Sequence, residues 1–360
     1  MDRITLEVIG AALLSAAEEM GQVLIRSSYS TNIKERQDCS TAVFDPRGEV
    51  IAQAEHIPMH LGSLIMIVQE VLRRYPLAGM REGDLFVGND PYTGGSTHLP
   101  DITVASPVFV EGRVVAFVAN IAHHADGSGR ETRSIWDEGL RIPPLKLVEG
   151  GVLREDVMEL LLLNFRLPRE RRGDFRAQFA ANRIGGERVA DLFARHGRAT
   201  CEAAMAELLA YGERKIRAAL RTIPDGVYAF EDFLDDYGPG TEPLRIAVTV
   251  TVAGDGITID YDGSSAQTPS GMNSYINYTR SYSYAAVKCL TDPLGPMNEG
   301  ALRPVTVTAP EGSFLNPRPP AGGGPRAIIC YRMFEALNAH DMPSQPSFVA
   351  RAPVPESTSS

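Results

Sequence analysis

Between Asn89 and Asp126 the chain gathers the residue types that a divalent metal site needs. The run Asn89-Asp90-Pro91-Tyr92-Thr93-Gly94-Gly95-Ser96-Thr97-His98-Leu99-Pro100-Asp101 is followed by two apolar stretches and then by Ala122-His123-His124-Ala125-Asp126. Three of the seven histidines fall in this window, beside carboxylates, in segments that read as loops at strand ends, where catalytic groups concentrate. Imidazole nitrogens with a carboxylate oxygen suit Zn²⁺, Mn²⁺ or Fe²⁺, and a cation with an open position lowers the pKa of a water it holds. The competing reading is a set of polar loop residues hydrogen-bonded to backbone, the commoner fate of an isolated His-x-x-Asp match.

The elements that must position these groups can be read from the flanking residues. Ile102 to Phe109 and Arg113 to Ile121 are partly β-branched runs around Val110-Glu111-Gly112, which predicts a hairpin. With Glu111-Gly112 as the tight loop, Val110 pairs with Arg113, and counting outward sets Asp101 opposite Ala122 and Pro100 opposite His123. Opposed residues have Cβ atoms about 5 Å apart, so His98, Asp101 and His123 converge at one end of the hairpin. Alternation then places His98 and His123 on one face and Asp101 and His124 on the other, so a regular ladder cannot present all of them together. Pro100 cannot donate a ladder hydrogen bond and is expected to break the regularity, turning Asp101 toward the histidines.

At 360 residues and 44% hydrophobic, the chain can bury a large core. Its net charge of −10, with no basic run or aromatic-basic interleaving, argues against a nucleic-acid partner. Cys39, Cys201, Cys289 and Cys330 lack Cys-x-x-Cys spacing, which fits a reducing compartment rather than a zinc knuckle. Ile4 to Ala17 is apolar, but Asp2 and Glu7 interrupt a signal-peptide pattern, and the segment reads as an amphipathic helix continuing to Arg26. No stretch reads as long and apolar enough to span a bilayer, so a soluble cytoplasmic protein with no membrane partner is expected.

The fold class expected is α+β, with mixed, largely antiparallel sheets and a helical middle segment. Residues 1–150 form a mixed region carrying the metal window. It includes a hairpin around Pro46-Arg47-Gly48 and a helix near Gly62 to Tyr75. Residues 151–223 are helical, with Pro168 between one helix and a longer pair, and residues 224–340 are β-rich with closing helices. The polar stretch Asp262 to Asn273 reads as a surface loop or a site lining. Residues 341–360, rich in Pro and Ser and without periodicity, read as a disordered tail.

Other chemistry lacks its motifs. There is no Gly-x-x-x-x-Gly-Lys-Ser/Thr loop, no Gly-x-Gly-x-x-Gly between strand and helix, and no Gly-x-Ser-x-Gly elbow. Cys39 lies near Glu35 and Asp38, whose charge opposes thiolate formation.

Several ordered stretches resemble the hydantoinase B/oxoprolinase family, which includes B subunits of N-methylhydantoinases, caprolactamase-type lactamases and one large subunit of acetone-carboxylase-type enzymes. They are Asn32 to Ser40, Ile57 to Ser63, Asn89 to Asp101, His123 to Asp126, Pro296 to Gly300 with Arg303-Pro304, Ala309 to Ser313, and Asn316-Pro317. The resemblance runs from near the first residue to about Ala339. It implies a zinc or manganese ion held by His98, Asp101 and His123, with an upstream acid at Asp38, or at the nearby Glu35, as a further ligand. His60, His124 and Asp126 become candidate substrate-facing or catalytic groups, the alternative for the two histidines being hydrogen-bonded structural roles.

The resemblance also implies a hetero-oligomer with a hydantoinase A-like ATPase subunit. ATP there activates a small cyclic amide, by phosphorylating a lactam or imide oxygen or forming carboxyphosphate, and the metal site handles the attack. The expected activity is that of the metal-bearing subunit of an ATP-dependent hydantoin, 5-oxoproline or lactam hydrolase. The alternatives are an acetone-carboxylase-type subunit and an inactive scaffold paralogue. From Met342 onward the resemblance stops, which suggests a shortened member or one whose remaining domain lies on another polypeptide.

Overall fold

A computed structural model describes residues 2–54, 60–124 and 132–338. Among them are eight α-helices and two sheets, the larger wholly antiparallel and the smaller mostly so, as the sequence predicts. The expected disordered tail, 341–360, lies outside the described residues.

The first compact unit comprises Met1–Gly129, Trp136–Gly212 and Pro296–Gly300. Its sheet contains β1 (Cys39–Phe44), β2 (Val50–Gln53), β3 (Leu85–Gly88), β4 (Asp101–Val110), β5 (Arg113–His123), β6 (Leu145–Glu149) and β7 (Val152–Leu153). Their order is β2-β1-β5-β4-β3-β6-β7. The two hairpins expected from sequence, β1–β2 and β4–β5, both form. The short strands β3, β6 and β7 carry too few residues for a period-2 signal and come as additions.

Helices close both faces of this sheet. Along β5, Ala116, Val118 and Ala122 face α1 (Arg3–Ser27), while Phe117, Ala119 and Ile121 share a core with Leu64, Ile67, Val68 and Val71 of α3 (Leu61–Arg74). A short helix, α2 (Thr31–Lys34), leads from α1 into β1. Beyond the sheet come α4 (Glu155–Leu163), α5 (Pro168–His196), opened by the proline expected to separate helices, and α6 (Arg198–Leu220). The segment 151–223, expected to form its own helical region, does not stand apart: α4, α5 and the first part of α6 belong to the first unit. An amphipathic helix buries its stripe against whatever apolar face is available, and Ala177, Ala181, Val189 and Leu192 of α5 join the core of α1 and the sheet.

One expectation is corrected here. By length and composition α1 is long and apolar enough to cross a membrane. In this fold its apolar stripe, Ile9, Leu13, Ala17, Met20 and Leu24, is fully buried in the core shared with α5. Burying each large side chain stabilises by about 1.5–3 kcal/mol.

The second unit comprises Arg130–Ile135, Glu213–Gly295 and Ala301–Ser360. It holds β8 (Gly226–Leu234), β9 (Leu244–Ala253), β10 (Gly256–Asp260) and β11 (Val305–Thr308), in the order β11-β10-β9-β8, with only β10–β11 parallel. Two further helices, α7 (Ile276–Thr291) and α8 (Arg326–Leu337), complete it. Within the polar stretch Asp262 to Asn273, Asn273 Nδ2 donates to the carbonyls of Thr268, Ser270 and Gly322, so the loop is tied to its own backbone and to that of a distant segment.

Where α1 crosses α5, a Cβ on Gly185 would collide with the side chain of buried Met20. Gly185→Ala is therefore expected to lower the unfolding free energy by about 1–3 kcal/mol, read as a lower urea midpoint. An unchanged midpoint would mean that the two helices do not meet there.

Candidate metal centre

The β4–β5 hairpin turns through Glu111 and Gly112, both left-handed at φ 50° and 72°, the conformation a two-residue type I′ loop requires. Val110 pairs with Arg113 as counted from sequence, but Phe109 pairs with Val114 and Val108 with Ala116. Val115 is an extra residue in β5, a β-bulge that shifts the rest of the ladder by one. Asp101 consequently lies opposite His123, not Ala122, and shares its face of the sheet. The conflict of faces expected from a regular ladder is removed by this bulge at the far end of the hairpin. Pro100 plays no such part: its carbonyl simply accepts from His124 N–H at 2.8 Å.

His98, Asp101 and His123 each offer one ligand atom, all within 4.8 Å of one another. The His98 Nε2 lies 3.2 Å from Asp101 Oδ1, and the rings of His98 and His123 are 4.9 Å apart, tilted by 51°. Asp101 is fully buried and His98 nearly so. A buried carboxylate between two imidazoles, with its ligand atoms at this spacing, fits a divalent cation of the zinc or manganese kind by its donor chemistry.

Neighbouring side chains fix these groups. Thr97 Oγ1 donates to Asp101 Oδ2, orienting the carboxylate. The loop carrying His98 is folded on Asp90, whose carbonyl accepts from Gly95 N at 2.8 Å; a Cβ at Gly95 would stand 2.9 Å from Asp90 N, so only glycine fits. Asn89 Nδ2 donates to the carbonyls of Leu99 and Leu140, and its Oδ1 accepts from Ile142 N–H, pinning both ends of the loop. Asn32 Nδ2 lies 2.9 Å from His123 Nδ1, a contact that holds the ring in one orientation. The helix bearing Asn32 is held in turn by Asp174, fully buried on α5, which accepts from Tyr29 N–H at 2.8 Å and Ser30 N–H at 3.1 Å.

The remaining candidates divide by face. Asp38 follows Gln37, a non-glycine residue at φ 55°, and its carbonyl accepts from His123 N–H at 3.0 Å, making the two neighbours across the β1–β5 ladder. Its carboxylate is half-buried, 3.8 Å from His60 Nε2, and it lies outside the three-residue group. Glu35 is exposed at the end of α2. His60 is buried just before α3, with Nδ1 3.1 Å from Ser40 Oγ. His124 points to the opposite face: it is fully buried, 3.1 Å from Gln178 Oε1, against the Phe175 ring at 5.0 Å. Burial pushes it down to about 4, so it is neutral near pH 7 and in no position to meet a substrate at the cluster. Asp126 lies outside the described residues. Cys39 is buried, which with the Asp38 charge pushes its thiol up to about 12 and excludes it as a thiolate nucleophile near neutral pH.

Sequence reading missed Asn32 and Thr97 as neighbours of the cluster, though both lie in stretches that carry the resemblance. Their signal was an amide or hydroxyl close to a member of the cluster, which only pairing geometry distinguishes from an ordinary loop residue.

The family model for hydantoinase B/oxoprolinase matches residues 2–348. Caprolactamase subunit beta of Pseudomonas jessenii is 36% identical over 329 residues, which are 89% of this chain and 56% of that protein. The 5-oxoprolinase 1 of Arabidopsis thaliana is 33% identical over 349 residues, 88% of this chain and 27% of that one. The chain thus spans about half, or less, of the length of these relatives. The crystal structure of ATP-dependent caprolactamase from P. jessenii matches with a TM-score of 0.84 at 34% identity, covering 90% of this chain and 57% of that one. The nucleotide-free structure of acetone carboxylase matches with a TM-score of 0.82 over 90% of this chain and 45% of that one, at 18% identity, a likeness of fold.

Asn32→Ala and Thr97→Val are each expected to weaken divalent-metal affinity by about 10- to 100-fold while leaving the circular dichroism spectrum unchanged. Titration of purified variants with Zn²⁺ and Mn²⁺ measures this, and wild-type affinity in both would separate these side chains from the site.

Proposed function

Because the chain belongs to the hydantoinase B/oxoprolinase family, we propose that it is the metal-bearing subunit of an ATP-dependent cyclic-amide hydrolase, acting on a substrate that a partner ATPase subunit activates. The observation that carries this reading is the convergence of His98, Asp101 and His123 within 4.8 Å at one sheet end. Those three residues would hold the ion, with Asp38, beside His123 across the ladder, as the further carboxylate ligand. Bound there, a divalent ion supplies Lewis acidity for polarising an amide oxygen and acidifying water.

The chain's own residues supply the rest. Thr97 and Asn32 hold Asp101 and His123 in one orientation, which reduces the reorganisation required when charge develops. Burial of Asp101 and His98 keeps bulk water from screening the charge gathered there. His60, against Ser40 and Asp38, is the buried imidazole on the Asp38 side and the candidate to move a proton at that carboxylate. A neutral lactam is a poor electrophile, so activation by ATP supplies the leaving group that this chain's residues do not.

Identity favours the hydrolase over the carboxylase among the solved folds, at 34% against 18%. Metal analysis of purified wild type, His98→Ala and His123→Ala should show bound metal in the first and loss in both variants; equal content in all three would sink the assignment. Reconstitution with the partner ATPase should then give ATP-dependent opening of a hydantoin, 5-oxoproline or caprolactam ring. Label from bicarbonate retained in a product would instead establish the carboxylase reading.

A further inference from the structure

The interface between α5 and the first sheet is mostly apolar, yet three buried amides are set into it: Asn120 on β5, and Gln178 and Asn182 on α5. Gln178 is fully buried and uses its whole side chain. Its Nε2 donates to the Ile102 carbonyl at 2.8 Å and to Asn120 Oδ1 at 2.9 Å, and its Oε1 lies 3.1 Å from His124 Nε2. The partners are telling by position. Ile102 follows Asp101 and His124 follows His123, so one side chain grips the residue next to each of two proposed ligands, from the face opposite the cluster.

Asn182 is one helical turn farther along α5 and does the same kind of work higher on the strands. Its Nδ2 donates to the Val104 carbonyl at 3.2 Å and to Ser106 Oγ at 3.1 Å, and its Oδ1 accepts from Asn120 Nδ2 at 2.7 Å. Neither Val104 nor Ser106 adjoins a proposed ligand. The two amides therefore provide matched cases, of similar burial and bonding, that differ in distance from the cluster.

We propose that Gln178 is a positioning residue of the metal centre: without touching the ion, it sets the spacing of Asp101 and His123 by holding Ile102 and His124. The inference rests on the metal reading given above. In a strand, the directions of successive side chains are coupled through the backbone, so fixing Ile102 and His124 on one face fixes their neighbours on the other. A satisfied buried amide does this better than an apolar side chain, because its hydrogen bonds specify distance and direction while dispersion contacts tolerate sliding. The His124 ring is held on that face by the contact of its Nε2 with Gln178 Oε1.

The test compares Gln178→Met, which keeps the shape and removes the hydrogen bonds, with Asn182→Leu, on the full chain. Zn²⁺ and Mn²⁺ titrations give affinities, thermal melts give stability, and histidine ring resonances of the metal-free protein report the placement of His98 and His123. Gln178→Met is expected to weaken metal binding about 10- to 100-fold and to shift both histidine signals. Asn182→Leu is expected to lower the melting temperature with neither effect. Wild-type affinity in Gln178→Met, or equal weakening in Asn182→Leu, overturns the proposal. If Gln178→Met does not fold, Gln178→Glu against Asn182→Asp decides by the same contrast, since each replaces amide donors with acceptors. If the wild type takes up no metal, the functional reading falls by itself, and unshifted histidine signals in metal-free Gln178→Met overturn the positioning role independently.

Discussion

The geometry of the centre depends on one extra residue in one strand. Without the bulge at Val115, period-2 alternation would put Asp101 on the face of α5 and leave His123 on that of α3. With it, both side chains fall on the α3 side, where Ser40 and His60 also meet, while His124, next along the chain after His123, lies in the apolar layer beneath α5. A one-residue slip reverses every side chain downstream of it, so the bulge acts on the cluster from the far end of the hairpin. The buried strand flanks hold the register in place: β5 lies between β1 and β4, and slippage would expose Phe117, Ala119 and Ile121 to the wrong layer.

The polar network under α5 is the second constraint. A purely apolar contact between a helix and a sheet fills space but has several near-equal ways of doing so. Asn120, Gln178 and Asn182 exchange hydrogen bonds with one another and with strand carbonyls on β4 and β5, and those bonds have only one good arrangement. Beside them the buried pair Arg171–Asp174, 3.2 Å apart, ties α5 to the start of α2 through Tyr29 and Ser30. Desolvating two charges makes such a pair weak as a source of stability, and its clearer consequence is the placement of the helix that carries Asn32.

A fold shared with acetone carboxylase at 18% identity does not choose a reaction. Hydrolysis and carboxylation both use a Lewis acid and an activated partner, and a cluster of two histidines and a carboxylate serves either. The discrimination lies in what reaches the cluster from outside it.

The alternation of apolar residues, the Glu111-Gly112 turn and Pro168 made most elements legible from sequence, because local backbone preference and burial pattern agree there. So did the grouping of His98, Asp101 and His123, since a hairpin brings its own ends together whatever surrounds it. The side on which each group emerges was not legible: the bulge at Val115 sits in an unbroken apolar run whose letters look the same with either register. Nor was the division of His123 from His124, adjacent residues that alternation sends to the cluster with His98 and Asp101 and to the buried aromatic layer beneath α5. By itself the sequence determined which residues could meet, because chemistry and local geometry reside in short stretches. Only the tertiary structure decided which of them do meet, because register is set by a bulge at the far end of the hairpin and burial by the layers packed on each face of the sheet.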